Sequence, residues 1–185
     1  MSTLLKTVNI VATYHLGCIF NMKELHEKVL GSKLLEKSMG AVVWKVQQPK
    51  TTFLIYKSGK CVCLGASSLE NCEIATSLLV AKLVALGYPA SINYFQVQNI
   101  VFSVDLGYHI DLPKLYYSLD RKASFEPEIF PGLRHKIGHI NFTVFRTGKI
   151  NVSGATTIDG AESGMKLLKP VLDECQKKTK GSLST

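Results

Sequence analysis

Proline is scarce in this sequence, at six in 185 residues, and the composition is otherwise that of an ordinary globular protein, 46% hydrophobic and 19% charged. Long apolar runs are missing. The longest stretch, Leu78 to Leu86, is broken by Lys82 and is far too short to span a bilayer, so no membrane role is expected. No basic-then-apolar segment ending in a small-residue cleavage site stands near the start, which argues against secretion. Metal-type cysteine spacing is also absent. The five cysteines (Cys18, Cys61, Cys63, Cys72, Cys175) are an odd number, and Cys61-x-Cys63 is closer than zinc ligands sit, so reduced, packed thiols are expected. Asn141-Phe142-Thr143 and Asn151-Val152-Ser153 match the glycosylation pattern but fall inside strand-like runs, and are read as chance matches in an intracellular protein. Neither a metal nor a cofactor is expected.

What the chain does have is a near-repetition of itself. Asn9-Ile10-Val11 returns as Asn99-Ile100-Val101, and Leu16-Gly17-Cys18 as Leu106-Gly107-Tyr108, both 90 residues on. Ser58-Gly59-Lys60 returns as Thr147-Gly148-Lys149, and Leu64-Gly65-Ala66 as Ser153-Gly154-Ala155, both 89 residues on. A fixed period of this kind marks two copies of one structural unit, here 1–92 and 93–185. The net charge of +8 is shared between them: ten Lys against five acids in the first copy, twelve Lys and Arg against nine acids in the second. Two basic halves suit a polyanionic partner better than one basic tail.

Within one copy, residues 6–13 alternate as a strand. Asn21 with Glu24 caps a short helix over 22–30, stopped by Gly31. Strands follow at about 40–47, 51–57 and 60–65, with turns at Pro49 and Ser58-Gly59. Ser67-Ser68-Leu69-Glu70 reads as a capping box for a long helix ending at Gly87 and Pro89. The second copy repeats the order, with Asp111 capping the short helix and a long helix over 157–178 that Pro170 should kink. Runs of antiparallel strands with segregated helices predict an α+β fold with helices on one sheet face. Yet both faces carry apolar residues: Phe53 and Ile55 alternate with Thr52, Leu54 and Tyr56, and Cys61 and Cys63 with Val62 and Leu64. An apolar face left open and rimmed by Lys45, Lys57, Lys60, Lys136, Arg146 and Lys149 reads as a binding surface, unless a second sheet or another copy covers it.

These features, together with Val8-Asn9-Ile10-Val11-Ala12-Thr13, Gln48-Pro49-Lys50-Thr51-Thr52, Gln98-Asn99-Ile100-Val101 and Phe125-Glu126-Pro127-Glu128-Ile129-Phe130-Pro131-Gly132-Leu133, resemble the conserved core of the TATA-box-binding proteins and their related factors. The resemblance covers nearly the whole chain. It implies a ten-stranded saddle that grips the DNA minor groove as a monomer, in the nucleus, with transcription factors IIA and IIB and other regulators as partners. For this family, apolar wedges that kink the duplex are the type example. The four wedge positions fall on Met39, Tyr56, Phe130 and Phe145, with Pro131 following Phe130 in the second-copy loop. Only the second-copy pair keeps the phenylalanines, so the first copy should wedge more weakly.

The groove floor implied by the resemblance is Asn9 and Asn99, with Val11 and Val101 beside them, and Val43, Thr52, Leu54 and Val62 along the first copy. Lys45, Lys60, Lys136 and Lys149 stand within reach of phosphates. The family's threonines are replaced by Leu64 and Ser153, while Thr143 and Asn151 stand at positions that are normally apolar. A relaxed or shifted preference for A·T-rich sequence is therefore expected. Glu126 and Glu128 fall in the loop that typically engages transcription factor IIB. The helix from Leu69 to Leu86, basic in the family, is nearly all apolar here, so either a partner covers it or the first copy packs differently. Two rivals stand beside this reading. One is an interaction scaffold that bends DNA poorly. The other is an enzyme using Cys18 with His15, which lacks any acidic group to orient the base; His135 and His139, though four apart, sit in a loop-to-strand region that supports metal binding only weakly.

Overall fold

The computed structural model describes residues 5–35 and 40–177. They divide into two compact units, Thr7–Ile100 and a second built from Val101 onward together with Lys6. Among the described residues are ten strands and four helices.

The first unit contains β1 (Lys6–His15), α1 (Met22–Lys28), β2 (Lys33–Leu35), β3 (Ala41–Val46), β4 (Thr51–Tyr56), β5 (Lys60–Ala66) and α2 (Leu69–Ala85). Its strands lie in the order β2-β3-β4-β5-β1. The strand β6 (Tyr94–Asp105) then leads into α3 (Leu112–Ser118), β7 (Ala123–Ser124), β8 (Gly132–Ile137), β9 (Ile140–Phe145), β10 (Lys149–Ala155) and α4 (Ile158–Glu174), with strand order β6-β10-β9-β8-β7. The edge strands β2 and β7 have three and two residues, too few for an alternation to show in the sequence.

Each helix begins where a side chain can accept the orphan N–H groups of its first turn. Asn21 accepts from Lys23 and Glu24 at 3.2 and 3.3 Å, and Asp111 accepts from Lys114 at 3.1 Å. The long helices start at Ser68 and Thr157, which accept from Asn71 at 3.0 Å and Gly160 at 3.2 Å. Ser68, not Ser67, is thus the cap of α2. Ser67 accepts instead from the Asn71 side-chain amide at 3.0 Å, so the Ser67–Glu70 box does not form. α4 runs on through Pro170, which occupies an exposed position.

The two long helices bury equivalent positions. α2 buries Cys72, Ala75, Thr76, Leu79 and Leu83, and α4 buries Ala161, Gly164, Met165, Leu168 and Leu172, each 89 residues later. The expectation that the first copy might pack differently is therefore not met: α2 sits on its sheet as α4 does. Their outer faces differ. α2 exposes Ile74, Leu78 and Val84, whereas α4 exposes Asp159, Glu162, Lys166 and Asp173 beside the apolar Leu167. Leu79→Ala should accordingly cost about 3 kcal/mol in urea unfolding, and its neighbour Leu78→Ala under about 0.5 kcal/mol. Similar losses for both would contradict this helix orientation.

The turn glycines are positional too. Gly59 and Gly148 have φ of +86° and +85°, and their carbonyls accept from Leu16 at 2.8 Å and Leu106 at 3.1 Å. A Cβ would lie 2.3 Å from the Cys18 carbonyl oxygen at the first and 2.0 Å from that of Tyr108 at the second. Alanine there combines left-handed strain with backbone overlap, and Gly148→Ala should lose roughly 3 kcal/mol or more. A melting temperature within a degree of the parent would refute the clash. No described helix is long and apolar enough to cross a membrane.

Candidate nucleic-acid interface

In each unit the strands alternate between a buried face under the helices and a face that no helix covers. On the first, Ile10, Ala12, Tyr14, Phe53, Ile55, Cys61 and Cys63 are buried to 3% exposure or less. Opposite them, cross-strand pairing lines up two rows on the open face. One is Val43, Leu54, Val62 and Thr13; the other is Lys45, Thr52, Leu64 and Val11. The second unit has matching rows, Arg134–Thr143–Asn151 and Lys136–Asn141–Ser153. Their backs are Leu133, Phe142, Val144, Ile150 and Val152, all fully buried. The strand register thus brings Val11, Val43, Thr52, Leu54, Val62 and Leu64 together, and Thr143, Asn151 and Ser153 together. Val101 lies on β6, half-buried between the buried Ile100 and Phe102. Arg134 and Asn141 were missed, although the alternation of β8 and β9 carries both to this face.

Asn9 is fixed by a break in that alternation. The pairing of β1 with β5 shifts between Ile10 and Val11, and Asn9 Oδ1 accepts from the Gly65 N–H at 2.8 Å. With its oxygen engaged, the amide keeps its two N–H donors to offer, which suits the N3 and O2 acceptors on a minor-groove floor. Asn99 occupies the equivalent place on β6, also half-buried.

At the end of the second unit's rows stand two aromatic rings. Phe130 and Phe145 have centroids 6.0 Å apart with planes tilted by 59°. The Glu126 carbonyl accepts from both Ile129 and Phe130 N–H at 2.9 Å, holding the loop that presents Phe130. The Arg134 guanidinium lies 4.1 Å over the Phe130 ring. Gly132 makes the room: a Cβ there would approach Phe130, Thr143 and Phe145 ring or methyl carbons at 2.8, 3.0 and 3.1 Å. In the first unit Tyr56 is the counterpart of Phe145, half-buried and paired with Ala41. Met39 lies outside the described residues. Lys45, Lys57, Lys60, Lys136, Arg146 and Lys149 are all exposed, as are Pro131, Glu126 and Glu128.

The model of the family described as transcription factor TFIID, or TATA-binding protein, matches residues 5–86 and again 94–175. The chain belongs to the TATA-binding protein family. It is 39% identical over 171 residues to TATA-box-binding protein 1 of Triticum aestivum, covering 91% of this chain and 73% of that one. With TATA-box-binding protein 1 of Arabidopsis thaliana it shares 37% over 171 residues, 91% and 86% of the two chains. Among solved structures it matches Methanococcus jannaschii TBP with a TM-score of 0.84 at 26% identity, covering 92% of this chain and 98% of that one. The α+β, two-copy fold expected from the sequence is the fold of this family.

The thiols do not favour the Cys18–His15 reading. Burial pushes the Cys18 thiol up, opposite to what a nucleophile needs, and His15 Nδ1 accepts from the Gly17 N–H at 3.2 Å. Burial likewise drives Cys61 up. Cys72 is held below its ordinary value by its hydrogen bond with Cys63 and then by Tyr14, whose hydroxyl lies 2.9 Å from its sulfur, but all three groups are sealed beneath α2. Among the described residues no group of three His, Cys, Asp or Glu side chains could hold a metal ion.

Proposed function

We propose that this protein is a general transcription initiation factor of the nucleus that binds A·T-rich promoter DNA through the minor groove, bends it, and nucleates the initiation complex. The two copies, 1–92 and 93–185, each contribute one open sheet face to the DNA. The observation that carries the reading is the Phe130–Phe145 pair standing at the end of an uncovered face flanked by exposed Lys and Arg. An apolar surface can lie on a minor groove that has been forced open, and aromatic wedges open it by unstacking a step. Asn9 and Asn99 supply donors to the base edges. Lys45, Lys60, Lys136 and Lys149 neutralise phosphates, and Tyr56 makes a weaker wedge because its hydroxyl enters an apolar step.

Glu126 and Glu128 form an acidic site for transcription factor IIB, beside the 80%-exposed Ile129. Transcription factor IIA and other regulators dock on the helical side, and the exposed Ile74, Leu78 and Val84 of α2 favour an apolar contact there. That same surface sustains the second reading, a protein-interaction scaffold with little DNA bending of its own. No catalytic role is proposed.

Salt separates the two. If the six flanking cations, Lys45, Lys57, Lys60, Lys136, Arg146 and Lys149, each neutralise a phosphate, the logarithm of the association constant should fall with log salt at a slope of about −5. Lys149→Ala should flatten it by about one. Fluorescence anisotropy from 50 to 300 mM salt measures both. A slope near zero would favour the scaffold.

A further inference from the structure

The two open faces are built to the same pattern, but four aliphatic positions of the first, Val43, Leu54, Val62 and Leu64, are Arg134, Thr143, Asn151 and Ser153 in the second. In the first unit most crossing points are aliphatic, Val43, Leu54 and Val62 in one row and Leu64 and Val11 in the other, with Thr13, Thr52 and Lys45 as the polar exceptions. In the second unit the equivalent positions are Arg134, Thr143 and Asn151 in one row, Lys136, Asn141 and Ser153 in the other. No aliphatic side chain stands at these six positions on β8, β9 and β10, although Val101 on β6 repeats Val11. The polar set is not a by-product of a loosened fold, since Leu133, Phe142, Val144, Ile150 and Val152 behind it are all fully buried.

This difference has a direct meaning in the minor groove. A·T and T·A pairs present only acceptors there, whereas a G·C pair adds the guanine N2 amino group, a donor that projects from the groove floor. Against Leu54, Val62 and Leu64 that donor would be stripped of water with nothing to accept it, a loss of roughly tenfold or more in affinity for each such group. Against Thr143, Asn141, Asn151 and Ser153 it meets side-chain oxygens. Arg134 and Lys136 offer only donors, so acceptance falls to the four oxygen-bearing side chains on β9 and β10, about 5 Å from one cross-strand neighbour to the next.

Resting on the DNA-binding reading above, we propose that the protein recognises a composite site, A·T-restricted under the first unit and tolerant of G·C under the second. Thr143 and Asn151 are the specificity-determining pair. A second consequence is polarity. A pseudo-symmetric protein could lie on an all-A·T duplex in either direction, but a duplex with G·C pairs in one half admits only the orientation that puts the second unit there.

The test uses the full chain and three labelled duplexes with the same flexible pyrimidine–purine step at each end. One is A·T throughout, one carries G·C at the interior pairs of one half, and one carries G·C in both halves. The expected result is that half-substitution changes the dissociation constant less than threefold, while substitution of both halves weakens it at least tenfold. In Thr143→Leu/Asn151→Val, which gives the second unit the residues of the first, the ratio between the half-substituted and all-A·T duplexes should rise above ten. An Fe-EDTA cleaver tethered in the second unit should cut near the G·C half with the parent protein. A parent ratio already above ten, or cleavage equally at both ends of the half-substituted duplex, would overturn the composite site while leaving the DNA-binding reading intact. Absence of salt-sensitive binding to the all-A·T duplex would overturn both. Circular dichroism of the variant guards against a folding loss; the reciprocal Leu54→Thr/Val62→Asn should then extend tolerance to the doubly substituted duplex, and its failure to do so would also count against the proposal.

Discussion

Replacing both Phe130 and Phe145 by alanine should lower affinity for an A·T-rich duplex by about a hundredfold or more and remove the bend. In the proposed complex each ring would stack on an unstacked base, worth about 1–3 kcal/mol per base, so two rings together would supply about 2–6 kcal/mol. An opened step costs a few kcal/mol, so without the rings the duplex stays straight and less protein surface reaches it. The folded state should survive, because both rings are only half-buried and rest on Arg134, Gly132 and each other, not in the core. Melting should shift by no more than a few degrees. Gly132→Ala tests the same geometry from beneath: its methyl would stand 2.8 Å from the Phe130 ring, so the ring must turn away from its present pose. A loss of about tenfold in affinity is expected, with Tyr56→Ala smaller than either phenylalanine. Equal losses for Tyr56→Ala and Phe145→Ala would show that the two units wedge alike.

The largest expected effect on stability lies behind the second face. Phe142 is fully buried in the central strand β9, paired with His135 on one side and Val152 on the other. α4 approaches so closely that a Cβ at Gly164 would lie 2.8 Å from the end of its ring. Phe142→Ala should therefore leave a cavity that a helix pinned at five buried positions cannot collapse into, at a cost of about 3–5 kcal/mol. For a chain of this size that corresponds to a fall of roughly 10 °C in melting temperature. Gly164→Ala errs the other way, overpacking the same contact by about 1–3 kcal/mol. If Phe142→Ala melted within two degrees of the parent, the contact between α4 and β9 would not be as close as described.

Much of this was legible in the sequence because the fold is stated twice. A strand or cap read weakly in one copy could be checked in the other, which is how the short capped helices, the hairpin strands and the long helices were placed within a few residues. What was illegible has physical causes. β2 and β7 are too short to alternate, and the shift of the cap from Ser67 to Ser68 turns on which of two adjacent hydroxyls meets the Asn71 N–H. The composition of α2 pointed to burial all round. Its copy α4 shows instead that the sheet covers one stripe only, so the apolar remainder lies outside. At the interface, alternation located the open face through Thr52, Leu54, Tyr56, Val62 and Leu64, while Asn9, Val11, Asn99, Val101, Thr143, Asn151 and Ser153 were implied by the resemblance. Arg134 and Asn141 are not positions the resemblance singles out, although the register Arg134–Thr143 and Lys136–Asn141 follows from the same hairpin. Phe130 could not be derived from periodicity at all; it sits in a loop held by the Glu126 carbonyl, and only the resemblance pointed to it.

The most direct test of the account is resonance energy transfer between dyes at the two ends of a duplex, A·T-rich against G·C throughout, titrated with the protein alone. The account predicts a saturable rise in transfer on the A·T-rich duplex, little on the G·C duplex, and loss of the rise in Phe130→Ala/Phe145→Ala. Binding without any change in transfer on the A·T-rich duplex would contradict it, and would leave the open faces without the wedging role assigned to them.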